Sequence, residues 1–342
     1  MKRLINRIKE FFLGLYTKYE NLGYKVKKKI KFVIGRVFLY YVLIELAYLF
    51  LLPFIYIFTT SMMSAQDYMD PTVQYIPTHI NWENFQKAWM GLDVFSVDPS
   101  LDLDLVDPGI GDYYSTLLNT IILSLGSAIL QSVSCALVGY SLGRFKFRGR
   151  LFIMLFVIII LLIPPQTMIT ASFFMWSQMG MAEGFYAILI PSLFGHGLRG
   201  ALFILIYMYF FQRIPDVMDD AARIDGAGPI RVFAQIMFPL VKSALTIVFI
   251  FSFVWHWNDN QETLTYTYLP QHNTFQESLS KIQQNYLEEL GYDGGAISET
   301  LRASSEPVLF AGCLMVMLPV LIVYILGQKR LVAGIERIGV IE

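Results

Sequence analysis

Few residues in this 342-residue chain have the type and spacing that make or break bonds. The four histidines, His79, His196, His256 and His272, show no metal-ligand spacing. Cys135 and Cys313 fall inside apolar segments, where thiols act as small core residues and not as a disulfide framework. No Gly-x-x-x-x-Gly-Lys-Ser/Thr stretch is present, nor any Gly-Lys dipeptide, so the chain offers no recognisable loop to cradle phosphate. What remains is charge in unusual places. Glu45, His196 and Arg199 interrupt long apolar runs, and Trp255, Trp257 and Asn258 close another. A polar stretch at 212–240 lies between two strongly apolar segments. Its residues suit docking and the transmission of force, not bond chemistry.

The elements that hold these residues follow from composition. Hydrophobic residues make up 55% of the chain and mean hydropathy is +0.52, more apolar surface than a soluble domain needs. Bilayer spans of about 20 residues account for it. Six are expected, near 37–60, 114–142, 150–172, 185–211, 241–258 and 307–328. Pro53, Pro164, Pro165 and Pro319 lie in or near them as kinks that neighbouring helices tolerate. The first run follows a long basic leader and is too long for a cleavable signal, so it reads as an uncleaved span. The fold class expected is an all-α integral membrane protein.

Net charge is −1 and says nothing of partners, but its distribution does. Residues 1–36, 143–150, 212–242 and the tail from Lys329 hold 22 of the 26 basic residues. By the positive-inside rule both termini and the 212–240 loop are cytoplasmic, while the loops 61–113 and 259–306 face outward. Within the leader, Leu4, Ile5, Ile8, Phe11, Phe12, Leu15 and Tyr16 recur at helical spacing opposite Lys2, Arg3, Arg7 and Lys9. That pattern suits an interfacial helix on anionic lipid, against the alternative of a solvated basic tail. The organisation expected is a leader at 1–36 and one membrane domain at 37–342.

The 212–240 loop has the features of a short helix made to dock. Pro215 suits a first turn, and Asp216, Asp219 and Asp220 suit the helix dipole. Ala221 and Ala222 favour helix and give low relief for close approach. Arg223 and Asp225 follow, then Gly226, Ala227, Gly228 and Pro229 break the helix and turn the chain. A second run, Ile230 to Phe238, leads to Pro239. The acidic-Ala-Ala triplet at 220–222, Gly226, Ile236 and Pro239 stand at the spacing of the "EAA" loop of bacterial ABC-importer permeases.

Other stretches extend that likeness. IPTHINWENFQKAW (76–89), Asn119–Arg150, FQRIPDVMDDAARIDGAG (211–228), WHWND (255–259) and GQKRLVAGIERIG (327–339) resemble carbohydrate-type permease subunits of the maltose/multiple-sugar class. Two departures stand out: Asp220 replaces the usual glutamate, and the tail closes on Glu336-Arg337-Ile338-Gly339 in place of a Gly/Lys ending. The resemblance implies a type I ABC importer permease in a bacterial inner membrane, with no enzymatic activity or cofactor of its own. It implies a second permease subunit as heterodimer partner, two ATPase subunits that use ATP and Mg, an extracytoplasmic solute-binding protein and membrane lipid, and no nucleic acid. The solute would be a sugar or oligosaccharide carried by alternating access. Asp219, Asp220, Ala221, Ala222, Arg223, Asp225, Gly226, Ala227, Ile236 and Pro239 would contact the ATPase, and the 259–306 loop would face the binding protein, against the alternative that it packs on its own outer surface.

The translocation path is less determined. Glu45 lies about 12 Å into span one at ~1.5 Å per residue. Intramembrane charge is costly and tends to be functional or paired. Glu45 could pair with Arg199; Arg199 and His196 could face a cavity, contact the second permease, or be structural. Trp255 and Trp257 suit an interfacial aromatic belt, family-type packing or sugar stacking. A permease for a non-sugar solute is the nearest rival. An ion-coupled transporter would need an inverted repeat and midplane carboxylates, of which only Glu45 qualifies. A membrane enzyme would need a catalytic constellation that His196 and Arg199 do not make.

Overall fold

The computed structural model describes residues 23–94, 116–182, 184–197, 199–267, 272–292 and 297–339. Among them there is no strand, as expected for an all-α chain. Three helices are each long and apolar enough to cross a membrane: Tyr24–Ser61 (α1), Thr116–Arg144 (α4) and the Glu299–Ala333 part of Glu299–Gly339 (α14). Bent helix pairs bring the number of spans to as many as six.

The described residues before Thr60, most of α1, form a compact unit of their own. This helix has 38 residues, about 57 Å at 1.5 Å per residue. It passes through residues 24–36 without a break, so that part of the expected leader continues the first span as the same helix. Lys25, Lys27, Lys28, Lys29 and Lys31 are good helix formers, and no proline intervenes before Pro53. The amphipathic pattern at 4–16 lies outside the described residues.

In the second unit, α4 is the central element and packs along Gly200–Gln212 (α8) and Lys242–Trp257 (α11). Its sequence makes this possible. Cys135, Gly139 and Gly143 fall at i, i+4 and i+8 and form a stripe of small residues. A Cβ at Gly139 would lie 2.6 Å from Tyr207 Cβ and 2.9 Å from the backbone of Ile204 and Met208, so only glycine admits this approach. Tyr140, Phe211 and Phe233 pack ring against ring beside it.

Two expected spans are broken. The third divides into Arg150–Leu162 (α5) and Pro165–Gln178 (α6), bent by 103°, because Pro164 and Pro165 remove two amide donors. The fourth divides into Tyr186–Leu193 (α7) and α8, with an irregular segment between them. Gly195, Gly197 and Arg199 there all have positive φ. Side chains of α4 meet the carbonyls this break frees: Ser134 Oγ donates to Ser192 O at 2.8 Å, Cys135 Sγ to Gly195 O and Gly200 O, and Gln131 Nε2 to His196 O. Irregular backbone inside an apolar layer requires such partners.

The two long connections are not simple loops. The first carries Ala65–Met69 (α2) and Glu83–Gly91 (α3). Asn84 donates to the carbonyls of Ser61 and Met63, which gives the Asn84-Phe85 pair a structural role. The second carries Gln261–Tyr266 (α12) and Phe275–Glu289 (α13), which Thr274 caps through the Glu277 amide. Phe275, Ile282 and Leu287 are buried, and Ile282 fits against Gly91 and Gly312. α13 packs on Glu299–Gly339 (α14) and α3, so the 259–306 segment folds onto its own chain. Asn119 Nδ2 donates to Asn273 O, and the Phe275 amide to Thr120 Oγ1, tying α13 to the start of α4.

Candidate functional site

The 212–240 loop folds as two helical pieces, Val217–Ile224 (α9) and Pro229–Leu240 (α10). Amides of Met218, Asp219 and Asp220 bond to the carbonyls of Pro215 and Asp216 in the first turn. At the other end Ala227 N donates to Ala222 O and Gly226 N to Arg223 O, the paired bonds of a Schellman motif. Gly226 takes the left-handed position with φ 76°. No atom lies within 4 Å of a Cβ built there, so glycine is required by conformation and not by crowding. Within α10, Val232–Met237 is a π-helical turn, and an 80° bend separates α10 from α11.

Helix α9 has two faces, and they divide the predicted residues. Asp219 and Ala222 are buried. Asp220, Ala221, Arg223, Asp225 and Gly226 are exposed, and so are Val217, Ile224 (86%) and Ile230 (83%). Ala227 and Ile236 pack at the edge of the core, and Pro239 is exposed in α10. The paired low-relief alanines expected from the sequence are thus split. Ala222 packs inward beside Tyr140, Phe211 and Phe233, and only Ala221 remains on the outer face. Two consecutive positions lie about 100° apart on a helix of 3.6 residues per turn, which accounts for the split.

The inner face is held by a residue that sequence reasoning counted only as a topological charge. Arg144, the last residue of α4, has a side chain just 5% exposed. Its Nε donates to Asp219 Oδ2 at 2.7 Å, and Nη2 reaches the same oxygen. Its Nη1 donates to Ile214 O at 2.7 Å and lies 3.0 Å from Asp216 Oδ1. One planar guanidinium thus gathers the turn before α9 and its first turn onto the end of α4. The available signal was a lone arginine ending a long apolar helix, which does not name its partner.

The translocation candidates separate as well. A cavity of about 390 Å³ lies where the breaks in the third and fourth spans face α12. His196 and Arg199 line it, as do Trp176, Tyr266 and Glu262, a residue sequence reasoning passed over. Burial, with Asp259 nearby, pushes the Glu262 carboxyl up to about 8. The Arg199 guanidinium lies 5.7 Å from the centroid of Trp255, which stacks on Phe203 and Phe251. Trp257 is a core residue, 1% exposed, with Nε1 donating to Val316 O, so it cannot stack on a solute. Asn258 is exposed and caps α11 by donating to Val254 O. Glu45 is exposed on α1. Among the described residues no group of three or more His, Cys, Asp or Glu could hold a metal ion.

Residues 135–337 match the family described as binding-protein-dependent transport system inner membrane component. The chain belongs to that family. As an inner membrane component it is a multi-pass transport subunit, and its family works with an ATPase and a substrate-binding protein in general. The matched region contains Arg144, the cavity and both pieces of the 212–240 loop. Among its relatives is the maltodextrin transport system permease protein of Bacillus subtilis, 27% identical over 66% of this chain and 75% of the relative. The melibiose/raffinose/stachyose import permease protein of the same organism is 27% identical over 83% of this chain and 89% of its own. A chain in the crystal structure of a bacterial ABC transporter that imports the acidic polysaccharide alginate has the same fold. Its TM-score is 0.63 at 22% identity, over 90% of this component and 99% of that chain.

Proposed function

We propose that the chain is one permease half of an ATP-driven carbohydrate importer, and that α9 is the helix an ATPase subunit grips. The observation that carries this reading is the two-faced construction of α9. Its inner face is locked by Arg144, while its outer face leaves Val217, Ile224 and Ile230 exposed beside Asp220, Ala221 and Arg223. Exposed apolar side chains rimmed by charge are the make-up of a docking surface. ATP and Mg²⁺ are used by the partner ATPases. A second permease completes the membrane part, most simply as a heterodimer. Positive-inside counting puts α9 and both termini in the cytoplasm. The opposite loops, α13 among them, meet the solute-binding protein. The sugar class comes from the relatives that carry maltodextrin and raffinose-type oligosaccharides.

ATP binding moves α9, and the broken spans alternate between outward- and inward-open states while the loop itself does no bond chemistry. The test is Asp220→Ala in the assembled importer. Sugar uptake should fall at least tenfold while membrane assembly is retained. Unchanged uptake would refute the role given to α9, and uptake sustained by an ion gradient without ATP would refute the importer class.

A further inference from the structure

Two spans break beside the same cavity, and the side chains that meet there are not those of a packing defect. Its volume of about 390 Å³ lies within the range of small-molecule sites, roughly 300–1,000 Å³. Trp176 and Tyr266 supply aromatic wall, and Ser172, His196, Arg199 and Glu262 supply polar groups. Aromatic faces beside planar charged groups suit a hydroxyl-rich ring, whose C–H face packs and whose hydroxyls hydrogen-bond.

The charge pattern narrows the class. Arg199 is exposed and held in a left-handed backbone conformation, φ 59°, a position rarely taken by a residue other than glycine. Such strain tends to persist where a side chain must be aimed. Among the described residues from 60 to 339 no carboxylate pairs with Arg199; its contact is the face of Trp255. Arginine at membrane depth is costly unless it is paired or bound. The first residues of α8 and α6, Gly200 and Pro165, also line the cavity, and neither helix has a side-chain cap. Two helix N-termini therefore add partial positive charge to that of Arg199. Among the described residues of the lining, Glu262 on α12 is the one acidic residue.

We propose that this cavity is a solute subsite contributed by this chain, and that it takes an acidic sugar, a glycosyl unit whose carboxylate is held by Arg199. The hydroxyls of that unit meet Glu262, Ser172 and Tyr266. The proposal rests on the carbohydrate-importer reading and can fail while that reading stands.

The test measures binding to the assembled transporter without its solute-binding protein, in phosphatidylcholine nanodiscs, by equilibrium dialysis. The probes are radiolabelled digalacturonate and its neutral counterpart galactobiose. Wild type should bind digalacturonate at least tenfold more tightly than galactobiose. Arg199→Gln should abolish that preference and Arg199→Lys should keep part of it, all three eluting alike by size exclusion. Equal binding of the two probes, or a preference unmoved in Arg199→Gln, would overturn the acidic assignment. No saccharide binding by an assembled, ATP-hydrolysing complex would overturn the subsite. Loss of digalacturonate binding only when phosphatidylglycerol is added would assign Arg199 to a lipid headgroup and overturn it too. ATP-dependent uptake with the binding protein present, run in parallel, reports on the importer reading separately.

Discussion

Removing Arg144 should detach α9 without unfolding the membrane domain. The guanidinium is nearly fully buried and serves Asp219, whose side chain is 12% exposed, together with the carbonyl of Ile214. Breaking a buried pair by deleting one partner costs about 3–5 kcal/mol, because the remaining charge is stranded. Asp216 adds little, since its side chain is 91% exposed. The low end applies here, as Asp219 can reach water once α9 lifts. About 3 kcal/mol corresponds to a factor on the order of 10² in the docked population. Hydrogen exchange read by mass spectrometry should therefore show amides of 217–224 losing about two orders of magnitude of protection in Arg144→Ala. Amides of α4 and α11 should keep theirs. Sugar transported per ATP should fall in the same variant. Arg144→Lys should lie between, because a point charge cannot reach Asp219 and the Ile214 carbonyl together. In a double-mutant cycle, Asp219→Asn should cost much less in the Arg144→Ala background than alone. Unchanged protection of 217–224 in Arg144→Ala, or additive costs, would refute the clamp.

Gly139→Ala should disrupt α4–α8 packing, seen as loss of the monodisperse peak by fluorescence-detected size exclusion; Gly35→Ala, with open space around it, should not. Gly226→Ala should place about 1–2 kcal/mol of left-handed strain at the end of α9 and lower uptake while leaving the fold intact. The pH dependence of stability should carry the signature of Glu262. Its carboxyl titrates near 8 when folded against about 4.5 when free, so the folded state holds an extra proton between those values. Stability should fall as pH rises through that window, by at most about 1.4 kcal/mol per pH unit, and flatten above it. Thermal melts from pH 5 to 9 should show this slope in wild type and lose it in Glu262→Gln.

The sequence made helix content and the helical form of the 212–240 loop legible because apolar run length and charge are local properties. Gly226 was legible for the same reason, since a glycine after a short polar helix has one common use, and the structure places it there. What escaped was whatever depends on a partner distant in sequence. Arg144 is 75 residues from Asp219, and as a letter it is only one more basic residue beside a span. The two breaks were hidden by unbroken hydropathy; the prolines at 164–165 and the glycines at 195, 197 and 200 gave hints, but neither shows that α4 supplies donors to the freed carbonyls. Trp255 and Trp257 read alike in sequence. A two-residue offset on a helix sends one toward Arg199 and the other into the core. The long outer connections read as loops because α3 and α13 are polar on one face, and their helical form rests on burying the other.

Helix α4 has one further consequence. It is a single unbroken rod of 29 residues, about 44 Å long, with no proline. Arg144 fastens one end to α9, and Thr116, Asn119 and Thr120 fasten the other to Leu92, Asn273 and Phe275. A rod tied at both ends is a lever. A tilt of about 10° about one end carries the other about 8 Å at a rise of ~1.5 Å per residue, more than one helical turn. Movement imposed on α9 therefore arrives at α3 and α13 as displacement of a solid body, with no chain of side-chain rearrangements in between. Any stroke delivered to one face of this chain is geometrically a stroke at the other.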